Sequence, residues 1–97
     1  MPVDDEGAAA LARLKRLRGL RIYGGILTDL GLKHLSLLER LGFLELEGRF
    51  TDEGLLSLAP LDKLYHLQVR SPNITDAGVQ ALARQLPSLR HAEGRRN

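Results

Sequence analysis

The residues equipped for chemistry are few: three histidines (His34, His66 and His91) and twelve carboxylates, with no cysteine, in a chain of 97 residues. His66 and His91, with Glu45 or Glu93 nearby, are the raw material of a metal site or an acid–base pair. Two ligands do not complete a metal shell, and no nucleophile accompanies them. His34 lies beside Lys33 and reads as helix surface. Gly24 and Gly25 follow a predicted strand, but no GKT or GxGxxG pattern comes after them, so no phosphate loop is expected. The absence of cysteine removes disulfides and thiolate zinc sites and fits a reducing, cytoplasmic setting. The sequence therefore predicts no enzyme, no cofactor, no metal and no small-molecule substrate.

The elements that position these side chains come from a repeat. Leucine accounts for 22 residues, against 3 isoleucines and 3 valines. Asp5, Asp29, Asp52 and Asp76 are spaced by 24, 23 and 24 residues, and each is followed two residues later by glycine: Gly7, Gly31, Gly54 and Gly78. The segments read TDLGLKHL from Thr28, TDEGLLSL from Thr51 and TDAGVQAL from Thr75, with DDEGAAAL from Asp4 as a weaker copy. In phase with them run LRGLRI from Leu17, LGFLEL from Leu41 and LYHLQV from Leu64, and a decayed LRHAEG from Leu89.

Threonines at 28, 51 and 75 suit helix N-caps, and an aspartate in the first turn meets the positive end of the helix dipole. A glycine there costs up to about 1 kcal/mol relative to alanine, so its recurrence implies a close approach by a neighbour. Apolar residues then fall at helical spacing, as in Leu32, Leu35 and Leu38, Leu55, Leu58 and Leu61, or Val79, Leu82 and Leu86. Pro60 and Pro87 stop helices. Leu20 and Ile22, Leu44 and Leu46, Leu67 and Val69 alternate as in short strands, expected near residues 19–23, 43–47 and 66–70, with a shorter one near 90–92. Strand and helix alternating at this period give consecutive parallel strands with helices on one side.

On these two motifs the chain resembles the leucine-rich repeat family, in the subclass with LxxLxL strands and TDxGLxxL helices known from bacterial proteins and F-box substrate receptors. The resemblance implies an α/β solenoid of about 3.5 repeats, strands on the concave side and helices on the convex side, and a noncatalytic role in protein binding. One domain is expected over 1–97: an N-terminal capping helix in 1–16 with Ala8, Leu11 and Leu14 inward, repeats at 17–40, 41–63 and 64–88, and a degenerate strand and tail at 89–97. The family's polar turn position holds Gly25, Arg49 and Pro72 instead, and the second repeat is one residue short before Thr51. A less regular loop edge is expected there, with Asn73 acting one residue late. The weakened last strand, with Ala92 and Gly94 in place of leucines, reads as an edge that resists pairing and as the end of a complete miniature repeat protein.

Aligning the copies predicts outward columns across the strands. One is Gly19, Phe43, His66 and His91, and beside it run Arg18, Gly42, Tyr65 and Arg90. On the other side lie Arg21, Glu45, Gln68 and Glu93, then Tyr23, Glu47, Arg70 and Arg95. Aromatic at one edge and charged at the other, this is the composition that interface hot spots favour. The expected partner-binding residues are Arg21, Tyr23, Phe43, Glu45, Glu47, Tyr65, His66, Gln68, Arg70 and His91, contacting a protein or peptide. Net charge is only +2, yet residues 1–21 carry five bases against three acids and 84–97 four against one. Nucleic-acid binding through these terminal patches is thus the alternative reading. The acidic MPVDDEG start is unlike a signal peptide, and no apolar run approaches a membrane span.

Overall fold

The structure, a computed structural model, describes residues 3–96. Helices and strands alternate: α1 Asp5–Leu11, β1 Gly19–Leu27, α2 Asp29–Leu35, β2 Phe43–Gly48, α3 Asp52–Leu55, β3 His66–Arg70, α4 Asp76–Ala83 and β4 His91–Arg95. The strands are all parallel and lie in chain order in one open four-stranded sheet. This is the expected short α/β solenoid. Between sheet and helices lies a leucine core: Leu44, Leu46, Leu67 and Val69 from the strands and Leu32, Leu35, Leu55, Leu58 and Leu82 from the helical side are each at most 2% exposed. No helix is long and apolar enough to cross a membrane among the described residues.

The Thr-Asp-x-Gly motif works differently from the local reading. Asp5, Asp29 and Asp52 each reach into the next repeat. Asp29 accepts the backbone N–H of Thr51 and its hydroxyl, both at 2.7 Å, and Asp52 accepts the same pair from Thr75 at 2.8 and 2.6 Å. Asp5 holds the Thr28 N–H at 2.8 Å and its hydroxyl as well. The glycines make room for these carboxylates: a Cβ at Gly54 or Gly78 would fall on the carboxylate of Asp29 or Asp52, and one at Gly31 would lie 2.5 Å from Asp5 Oδ1. The close neighbour that the glycines imply is therefore the aspartate of the preceding repeat. Thr51 and Thr75 also cap their helices, accepting from the N–H groups of Gly54 and Gly78 at 3.3 and 3.1 Å. Thr28 donates its hydroxyl to Asp5 in the same way but makes no cap bond to the N–H groups of its helix.

Four other expectations are corrected. Leu14 is 51% exposed, because α1 stops at Leu11 and the chain turns beyond it, with Ala12 rather than Leu14 buried. The first strand runs past residue 23 to Leu27 through a bulge. Gly24 and Gly25, with φ of 126° and 76°, let the pairing jump from Ile22 opposite Leu46 to Leu27 opposite Gly48. The irregular edge thus falls in the first repeat rather than the second. In the third repeat Ser71 takes the turn role: buried, it donates to the Phe50 carbonyl at 2.6 Å and accepts from the Asn73 N–H at 3.3 Å. The Asn73 side chain reaches the Arg49 carbonyl at 3.5 Å. Finally, β4 is five residues long and pairs in register along its whole length, so it is not shortened. Gly94 leaves the space that the Val79 side chain occupies.

Candidate functional site

The outward side chains of the strands form one face, and backbone bonds fix its columns before the strands begin. The carbonyls of Arg18, Gly42 and Tyr65 each accept two N–H groups from the next repeat, at 2.8–3.1 Å. Gly19, Phe43, His66 and His91 then stand in register. Parallel strands lie about 4.8 Å apart, close to ring-stacking distance, so flat side chains in one column stack. Phe43 and His66 have centroids 4.4 Å apart and planes 4° apart; His66 and His91 follow at 4.9 Å and 17°. The Arg21 guanidinium lies over the Phe43 ring, 4.9 Å from its centroid. Tyr65, 50% exposed, rests over Gly42, where a Cβ would sit 2.7 Å from its ring.

Arg21, Glu45, Gln68 and Glu93 form the next column. Glu45 is its hub: it accepts from the Tyr23 hydroxyl at 2.5 Å and meets His66 Nε2 at 3.2 Å and Arg21 Nε at 3.3 Å. The Tyr23 bond holds the Glu45 carboxyl below its ordinary range, with His66 and Arg21 helping against partial desolvation, and the same bond raises the Tyr23 phenol. Glu93 is held low by Arg95, and His91 Nε2 lies 3.6 Å from it. Tyr23 does not join Glu47 and Arg70 as aligned, because the bulge begins at this residue. Glu47 instead accepts the Gly24 N–H at 2.9 Å and pairs with Arg70 at 3.7 Å.

Of the ten residues singled out from sequence, the structure thus joins Phe43, His66 and His91 in one stack and Arg21, Tyr23, Glu45 and His66 around one carboxylate. Glu47 pairs with Arg70, Gln68 stands between Glu45 and Glu93, and Tyr65 sits apart at the strand entrance. Glu93 and Arg95 continue the charged columns onto β4, as the repeat alignment indicates. The imidazole Nε2 atoms face carboxylates one at a time, and no group of three or more His, Cys, Asp or Glu side chains among the described residues is placed to hold a metal.

Residues 63–83, which span β3 and all of α4, match the family model described as leucine-rich repeat. No curated protein matches the chain. The match covers one of the repeats, and the in-phase copies and parallel sheet on either side of it repeat the same strand-and-helix arrangement.

Proposed function

We propose that this chain is a noncatalytic interaction module of the cytoplasm that binds a protein surface or an extended peptide across its strand face. The observation that carries the reading is the half-open stack of Phe43, His66 and His91 spanning three strands, bordered by exposed Tyr65 and by paired charges. Rings already held flat lose little conformational freedom on binding, which suits them as anchors. Phe43, Tyr65 and His66 form the centre of the contact. Arg21, Tyr23, Glu45, Glu47, Gln68, Arg70 and His91 surround it and set charge preference.

The test is a partner captured by the wild-type chain and then titrated against variants. Phe43→Ala or Tyr65→Ala should weaken binding by about 2 kcal/mol or more, while Arg70→Ala mainly alters association rate and salt dependence. One observation favours a nucleic-acid ligand as the second reading: Arg13, Arg16 and Arg18 have no carboxylate partner among the described residues. If changes at Arg13, Arg16 and Arg96 abolish binding, affinity falls steeply with salt, and Phe43→Ala binds normally, that second reading replaces the first.

A further inference from the structure

The stack on the strand face ends at a gap. Phe43, His66 and His91 each fill their register position, but the position on β1 is Gly19, which brings no side chain. A Cβ built there would meet only Phe43 Cβ, at 3.8 Å. The result is a shallow hollow of about 410 Å³ lined by Gly19, Leu20, Arg21 and Phe43. One wall is the ring of Phe43, already stacked on its far side by His66. Arg21 is the movable wall. Its side chain is 63% exposed, paired with Glu45 and laid over the Phe43 ring 4.9 Å from its centroid, so an incoming ring takes its place on Phe43 while the guanidinium swings aside or covers the newcomer.

Resting on the interaction reading above, we propose that this gap seats an aromatic side chain of an acidic partner segment, which becomes the missing fourth ring of the stack. Ring geometry selects the aromatic group: a flat side chain completes a row whose spacing is already set by the strands, whereas an aliphatic one leaves the ring face partly uncovered. Charge selects the flanks. Between Ala12 and Ile22 the chain carries Arg13, Lys15, Arg16, Arg18 and Arg21 and no acid, and only Arg21 has a carboxylate partner among the described residues. A nucleic acid would satisfy the bases but would drive its phosphates toward Glu45 and Glu47 on the neighbouring strand. A peptide places its acids beside the gap alone.

The absence of tryptophan in the chain supplies the assay. The probe is a seven-residue synthetic peptide, Asp-Glu-Gly-Trp-Gly-Glu-Asp, whose indole emission is free of background. Saturable binding with a blue-shifted emission is expected. Gly19→Val, which fills the gap with a residue suited to a strand, should weaken it about tenfold or more with the melting temperature unchanged; a leucine-for-tryptophan peptide should compete about tenfold less well. A peptide with lysines for its acids should not bind. The proposal is overturned by no binding up to about 1 mM, by equal competition from the leucine peptide, or by tighter binding of oligo-dT at the same residues. Unchanged affinity of Gly19→Val also overturns it. In that last case, loss of binding in Tyr65→Ala would leave the strand-face reading standing, and indifference to both substitutions would remove that reading too.

Discussion

On the helical side each repeat repeats the same act: Asp5, Asp29 and Asp52 grip Thr28, Thr51 and Thr75, over Gly31, Gly54 and Gly78. On the strand face each repeat brings something different, with Gly19, Phe43, His66 and His91 in one column and Arg21, Glu45, Gln68 and Glu93 in the next. The contrast teaches what repetition is for. A side chain whose partner is its counterpart in the adjacent copy must be the same in every copy, because changing one breaks two repeats. The strand-face side chains also meet their neighbours across strands, as in the Phe43–His66–His91 stack, but at partly exposed positions where different residues can make such contacts, so their variety is free to serve a partner. Beyond the shared core, the nearest-neighbour bonds of the helical side therefore add more to stability than the strand face does.

The largest effect expected lies in the core that both sides share. Leu67→Ala removes a fully buried side chain and should cost about 2–5 kcal/mol, enough to unfold much of so small a domain. Urea denaturation reads this directly; an unchanged midpoint would contradict the placement of Leu67.

Next comes the helical ladder. Gly54→Ala should destabilise by about 1–3 kcal/mol although alanine is the better helix former, because its Cβ displaces a carboxylate pinned by two hydrogen bonds. Asp29→Ala should cost about 1–3 kcal/mol by leaving the Thr51 N–H short of its acceptor. In the double variant the two losses should fall short of additive by about 0.5 kcal/mol or more. Strict additivity would mean that glycine and aspartate act separately. Phe43→Ala, losing a half-buried ring and its stacking, should cost less than the ladder changes, about 1 kcal/mol. If Phe43→Ala proved the more damaging, the division between the two sides would not hold.

The registers of both sides are legible in sequence, because alternating leucines leave one pairing that buries them all, and the structure pairs Leu20, Leu44 and Leu67 as aligned. The role of the aspartates is not. Local rules see a carboxylate in a first helical turn and stop at the dipole, whereas its bonds run to a residue 22 or 23 positions away. The signal was present in the joint recurrence of Thr, Asp and Gly. Tyr23 leaves its column for a different reason. Column counting assumes an unbroken strand, and two glycines with positive φ shift the register at that residue.

The smallest effect concerns that displaced tyrosine. Its hydroxyl donates to Glu45, and ionising it would set a phenolate against a carboxylate, so its pKa lies above the ordinary 10.0. A raised folded pKa contributes stability that is fully present below pH 10 and is lost as pH rises through the folded value. Glu45 acts in the opposite sense. Its lowered pKa contributes above the ordinary 4.5, and that contribution is lost as pH falls through the folded value. Two tyrosines are present, so Tyr65→Phe leaves Tyr23 alone to be followed by its phenolate absorbance. The titration midpoint should lie above 10.0 and move back toward it in Tyr65→Phe with Glu45→Gln, since the amide still accepts the bond but carries no charge to oppose the phenolate. A midpoint indifferent to Glu45 would show that Tyr23 stands free in solution, leaving the Gly24 N–H on Glu47 as the bulge's side-chain hold on the strand face.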